Sequence, residues 1–207
     1  MIELYAAPTP NSVKICIMLE EVQLPYKIFK LDFTKGEHYQ PEFLKINPNA
    51  KAPAIVDRDN LLNVFESGAI LLYLAEKSGK LLPKSSESRA EVYQWLFLEA
   101  SGFGPTAAQI FHFGQLAPEK IPYAIERYQQ EALRLLAVID QQLTHRDYLA
   151  GEYSIADIAT FPIVQGFAYA GLPIGDFANV DRWCAQLQQR SAVGRGSYVL
   201  FQEPAVV

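Results

Sequence analysis

Apolar and polar positions change rhythm along this chain near residue 80, and the change separates two kinds of structure. Before it, Ile2-Glu3-Leu4-Tyr5 is a short apolar-rich run, and Tyr26 to Leu31 alternates with the two-residue period of a half-buried strand. Between them, Val13, Ile15, Ile17, Met18, Leu19 and Val22 populate Ser12 to Val22, a stretch long enough and suitably spaced for a helix. Ala7-Pro8-Thr9-Pro10-Asn11 is the turn leading into it. Strand, helix and strand within about 30 residues predict a right-handed βαβ unit with parallel strands. After a loop containing Pro41 and Pro48, two short runs, Pro53 to Val56 and Leu61 to Phe65, flank Asp57-Arg58-Asp59-Asn60, a polar connection short enough for a hairpin. Ala69, Ile70, Leu72, Tyr73, Leu74 and Ala75 then mark a helix ending near Ser78-Gly79, where glycine suits a left-handed C-terminal cap.

The order βαβ followed by ββα is that of a thioredoxin-like domain, expected over residues 1–80. Lys80 to Ser88 is polar and contains Pro83, as domain boundaries often do. From 88 to 207 the pattern is helical throughout. Ser88-Arg89-Ala90-Glu91 reads as a capping box opening a helix to about Ala100, before Gly102 and Gly104-Pro105 disturb it. Pro122 opens another, in which Ile125, Tyr128, Ala132, Leu135, Leu136, Ile139 and Leu143 keep steps of three or four. Ser154-Ile155-Ala156-Asp157 is a second capping pattern before Ile158 to Gly166, and Val180, Trp183 and Leu187 mark one more short amphipathic helix. The expected fold class is therefore α/β plus all-α.

Composition narrows the functions. The 207 residues are half apolar and one-fifth charged, ordinary for a globular chain, with a net charge of −5. That balance, without a visible basic face, opposes nucleic acid or an anionic membrane as the main partner. Cys16 and Cys184 lie far apart and outside any C-x-x-C, so neither a disulfide scaffold nor a zinc site is expected. His112 and His145 have no partners at metal-ligand spacing, and no metal is expected. No apolar stretch reaches the roughly 20 residues of a membrane span, and a cytoplasmic location is expected.

Two segments carry the candidate chemistry. In Lys51-Ala52-Pro53-Ala54-Ile55-Val56 the proline cannot donate to a strand ladder, so it belongs at a strand's first position, with Ala52 offering its backbone to something outside the sheet. In Phe65-Glu66-Ser67-Gly68 a carboxylate and a hydroxyl open a helix whose N-terminus attracts an anion, with Ser67 expected to cap it. Together they point to a peptide-like ligand bearing a carboxylate.

With these motifs the chain resembles cytosolic glutathione transferases. Ala7 to Ile15, Phe65 to Lys77, and Ile121-Pro122-Tyr123-Ala124-Ile125-Glu126-Arg127-Tyr128 make it most similar to the bacterial Nu class, whose characterised members are glutathione-dependent disulfide-bond reductases. The family usually has glycine where this chain has Ser12. The resemblance implies glutathione as cosubstrate, with Thr9 and Asn11 meeting its sulfur and Glu66 and Ser67 receiving the γ-glutamyl end. It implies that Ala52, ahead of Pro53, pairs with the cysteinyl part, that His38 and Lys51 meet the glycine carboxylate, and that Arg127 reaches the ligand in its own or a partner's site. A homodimer is implied as well.

Tyr5 sits inside the first strand and Cys16 on an apolar helical stretch, so a packed aromatic and an inert thiol are the expected roles. Three functions stay open on the residues. In the leading one, the thiolate of bound glutathione reduces a small disulfide. In the second it adds to a hydrophobic electrophile, in a pocket lined by Phe103, Pro105, Phe111 and Phe113. The third is a glutathione-binding regulatory protein without turnover.

Overall fold

The computed structural model describes residues 1–202. Among the described residues the first unit comprises 1–80 and 189–202. It contains β1 (Ile2–Ala6), α1 (Pro10–Val22), β2 (Tyr26–Lys30), the short α2 (Pro41–Leu44), β3 (Ala54–Asp57), β4 (Leu62–Phe65) and α3 (Ser67–Ser78). The sheet order is β2-β1-β3-β4, with β1 and β2 parallel and both other pairs antiparallel. This is the βαβ-ββα arrangement that the pattern predicts. Pro10 occupies the first turn of α1, where its missing N–H costs nothing, so the helix starts two residues earlier than Ser12. Gly79 ends α3 at φ 69°, the left-handed cap that glycine adopts without steric cost.

Buried β1, β3, α1 and α3 residues form the core, among them Leu4, Ile15, Leu19, Ile55, Ile70 and Leu74. Asp57, buried at the end of β3, is bonded by Lys77 Nζ at 2.7 Å, Tyr73 Oη at 2.5 Å and the backbone N–H of Asp59 at 3.0 Å. Burial alone would raise its pKa, but these partners hold the carboxyl below its usual value and tie the hairpin to α3.

The second unit spans residues 81–188. It contains α4 (Ser86–Leu98), α5 (Gly104–Phe111), α6 (Pro122–Leu143), α7 (Ile155–Tyr169) and α8 (Ala178–Gln188). The capping reading at Ser88 needs correction. Ser85 is the cap, its Oγ accepting from the N–H of Ser88, which lies inside the helix. The glycines and Pro105 do not end the helical path; the chain widens into a π-helical turn at Glu99–Phe103 and continues into α5. Ser154 and Asp157 do form a capping box. The buried Asp157 carboxylate accepts from Ser154 N, Leu149 N and Trp183 Nε1, each at 3.0 Å.

After α8 comes α9 (Ser191–Tyr198), which sequence periodicity does not reveal because it is short and holds two glycines. It packs in the first unit against α1, whereas the sequence pattern groups this segment with the helical part. Arg190 forms a two-pronged pair with Glu21, and Arg195 a pair with Glu20. A Cβ on Gly196 would lie 2.5 Å from both N and Cα of Ile17. Those are backbone atoms of a buried helix and cannot step aside. Gly196→Ala is expected to destabilise the protein by about 2–3 kcal/mol, measured by urea unfolding.

Candidate functional site

A single row of the sheet assembles the site. Tyr5 of β1 stands opposite Ala54 of β3, and Ala54 opposite Phe65 of β4. Because both pairings are antiparallel, the chain leaves β1, enters β3 and leaves β4 at the same sheet edge. The Thr9 to Asn11 turn, Lys51-Ala52-Pro53 and Glu66-Ser67 therefore emerge side by side, although up to 58 residues separate them. β2 runs parallel to β1, so the segment carrying His38 leaves from that edge as well.

Pro53 stands just before β3, and the bond between Ala52 and Pro53 is cis. No backbone hydrogen bond of Ala52 occurs among the described residues, which leaves its N–H and C=O for a strand-like partner. Asn47 holds this loop in place. It is buried, its Nδ2 donates to the carbonyl of Lys51 at 2.6 Å, and its Oδ1 accepts from the N–H of Asn49 at 2.9 Å. Asn49 then donates from Nδ2 to Glu66 Oε1 at 3.3 Å, linking two of the candidate segments. Neither asparagine was among the sequence candidates. The Asn47-Pro48-Asn49 string ahead of Lys51 is the signal, since Asn readily bonds backbone two residues on.

Glu66 and Ser67 differ from the expected cap. Glu66 takes the position before α3 and Ser67 is the first helical residue, and among the described residues no side-chain cap bond is made at the start of α3. Its first N–H groups thus keep their capacity and the dipole end is open to an anion. Glu66 adopts φ 68° and ψ 120°, a conformation that residues bearing a Cβ rarely take and that costs about 1–3 kcal/mol. Its carboxylate is exposed, where a ligand ammonium can reach it.

In the first turn Thr9 is the cap of α1, its Oγ1 accepting from Ser12 N at 3.3 Å. The same hydroxyl lies 3.2 Å from the buried Ser12 Oγ, which accepts from Ala7 N at 3.3 Å. Asn11 is exposed, and its Oδ1 accepts from Lys14 Nζ at 2.7 Å. Tyr5 packs as expected, stacked on Phe29 at 4.9 Å, and burial together with Glu3 raises its pKa. Cys16 is fully buried, which pushes its thiol up to about 12 and leaves almost no thiolate at neutral pH. Cys184 is buried too and is pushed to about 12 by the same cause.

The outer candidates are less closely defined. His38 lies against the rings of Phe33 and Tyr39, with centroids at 4.4 and 4.0 Å, and its buried Nδ1 has no hydrogen-bond partner among the described residues. Lys51 is exposed beside the Ala52 segment. Arg127 is an exposed residue of α6 in the second unit, and Glu131, four residues on, is bonded by Arg134 at 2.7 and 2.9 Å. Of the residues expected to line an acceptor pocket, Phe103 is buried in the second unit's core, 6.1 Å from Phe167. Among the described residues no group of three or more His, Cys, Asp or Glu could hold a metal, and no helix is long and apolar enough to cross a membrane.

Residues 1–76 match the family model for the glutathione S-transferase N-terminal domain, and residues 122–186 that for its C-terminal domain. The chain is a member of the glutathione transferase superfamily. Among its relatives, the disulfide-bond oxidoreductase YfcG of Escherichia coli K12 is 47% identical, over 94% of each chain. A glutathione transferase family member from Pseudomonas fluorescens, solved with two glutathiones bound, superposes with a TM-score of 0.90 at 43% identity, covering 95% of this chain and 92% of the other. A transferase from Pseudomonas putida, solved with one glutathione disulfide per subunit, gives a TM-score of 0.90 at 40% identity, covering 96% and 91%. In this glutathione transferase the thioredoxin-like unit supplies the segments just described.

Proposed function

We propose that this glutathione transferase is a glutathione-dependent disulfide-bond reductase that uses the thiol of bound glutathione as its nucleophile. The observation that carries the reading is the chemistry of the first turn. Thr9 and Asn11 offer a hydroxyl and an amide at the sheet edge, while both protein thiols are buried and protonated. A turn of donors with no sulfur of its own suits a sulfur brought by the ligand.

In this reading Glu66 receives the α-ammonium of the γ-glutamyl group, and Ser67 with the open N-terminus of α3 receives its α-carboxylate. The free backbone of Ala52, preceding Pro53, pairs with the cysteinyl unit and aligns the thiol toward Thr9 and Asn11. His38 and Lys51 meet the glycine carboxylate. Arg127 is assigned to the ligand from the matching family motif.

The reaction is two thiol–disulfide exchanges. The thiolate of bound glutathione attacks one sulfur of the substrate disulfide, forming a new S–S bond as the old one breaks. The departing thiolate takes a proton from solvent. A second glutathione thiolate then attacks the mixed disulfide at the glutathione sulfur, releasing the other substrate thiol and oxidised glutathione. Two glutathiones are oxidised and one disulfide is reduced. The bound states of the two Pseudomonas relatives, two glutathiones in one and a glutathione disulfide in the other, correspond to the reduced and the oxidised glutathione pair before and after the overall reaction.

Conjugation to an electrophilic carbon is less well supported, because Phe103 is spent on core packing. We read the assembly as a homodimer from family membership. Two unpaired cysteines fit a reducing compartment, the cytoplasm. The test is the Cys16→Ala/Cys184→Ala double variant, assayed for glutathione-dependent reduction of a small disulfide. Turnover close to that of the unaltered protein is expected; loss of turnover in a folded variant contradicts the mechanism.

A further inference from the structure

Lys14 is a buried cation that binding glutathione does not by itself require. Its side chain is 1% exposed, unusual for lysine, and it stands one turn after Asn11 on α1. Its Nζ lies 2.7 Å from Asn11 Oδ1. An ammonium has donors and no acceptor, so the amide oxygen of Asn11 must be the atom facing it. The Nδ2 hydrogens then point the other way, from a residue that is itself exposed.

That orientation matters to a thiolate. An asparagine without such a partner presents its NH2 or its oxygen by a half-turn of the amide, and an oxygen facing a thiolate repels it. Thr9 is committed differently. Its Oγ1 accepts from Ser12 N and sits against Ser12 Oγ, the residue found where the family usually has glycine.

We propose that Lys14 is a positioning residue for disulfide reduction: it holds Asn11 by the amide oxygen, so that Nδ2–H is the donor presented to the glutathione thiolate. The assignment rests on the reading of the first turn given above. It adds that the donor's direction is set from inside the helix, by a charge that need not touch the ligand.

The test measures two quantities in the unaltered protein, Lys14→Met, Asn11→Ala and the double variant. One is the pKa of the bound glutathione thiol, from thiolate ultraviolet absorbance against pH; the other is kcat for a small disulfide. Loss of a charge-assisted hydrogen bond is expected to weaken thiol ionisation about ten- to a hundredfold in Asn11→Ala. Lys14→Met is expected to shift the thiol in the same direction, and the double variant to be no worse than Asn11→Ala. A folded Lys14→Met with an unshifted thiol, or a double variant whose losses add, overturns the proposal.

Asn11→Asp covers the case in which Lys14→Met does not fold, since it keeps an acceptor for Lys14 while removing the donor. Its thiol pKa is expected to rise at least as far as in Asn11→Ala; an unchanged value overturns the assignment of Nδ2. If Asn11→Ala binds glutathione with thiol pKa and kcat both unchanged, the reading of the first turn itself is wrong, and the role of Lys14 falls with it.

Discussion

Glu66→Lys is expected to remove saturable glutathione binding, raising Kd about a hundredfold or more. The exposed carboxylate stands beside the uncapped N-terminus of α3, so one end of the site offers a negative group and a positive dipole a few atoms apart. An amino acid's α-ammonium and α-carboxylate fit that pair and a simple anion does not. Lysine at this position forfeits a charge-assisted bond of about 1.5–3 kcal/mol and adds repulsion toward the ammonium. Any replacement with a Cβ inherits the same unfavourable φ of 68°, so the comparison isolates charge. The Asn49 bond it breaks is exposed and long, at 3.3 Å, and contributes little to the fold. Calorimetry gives Kd and circular dichroism checks folding. A Kd within about threefold of the unaltered protein contradicts the role of Glu66.

Asp157→Ala is expected to destabilise the second unit by about 3–4 kcal/mol. The carboxylate accepts from the N–H groups of Leu149 and Ser154 and from the indole of Trp183, all buried. Alanine removes the Asp157 half of the α7 capping box and leaves those donors unsatisfied at once, each costing about 1–3 kcal/mol when dry. Burial raises the carboxyl to about 6, while the bonds from Leu149, Trp183 and Ser154 favour its ionised, accepting form. Urea unfolding measures the loss. A change under about 1 kcal/mol means that solvent replaces the carboxylate.

Much of this architecture was legible because it is written in local periodicity. The βαβ-ββα order followed from alternating and helix-spaced runs, and Ser154 with Asp157 followed from spacing alone. The site's backbone was legible for a related reason: a proline before a strand and an acid before a helix mark positions where the chain's polar groups turn outward. What escaped were features decided by distant partners. Ser67 has the chemistry of a cap, but the chain enters α3 with Glu66 in a positive-φ conformation and places Ser67 inside the helix. Ser85 and Ser88 are equally good caps by type, and only the entry angle chooses Ser85. Asn47 became a loop organiser through the carbonyl of Lys51, and α9 joined the first unit through Gly196 lying against Ile17. Lys14 carries no sequence signal of its burial, which the fold decides together with its bond to Asn11.

The central claim is that glutathione lies along this sheet edge and supplies the reacting sulfur. A crystal structure of the protein with oxidised glutathione tests it most directly. The expected result has the γ-glutamyl ammonium on Glu66, its carboxylate at the N-terminus of α3, the cysteinyl backbone paired with Ala52, and one sulfur within hydrogen-bond reach of Asn11 Nδ2. A glutathione bound elsewhere, or one whose sulfur meets Cys16 instead of the first turn, would contradict it.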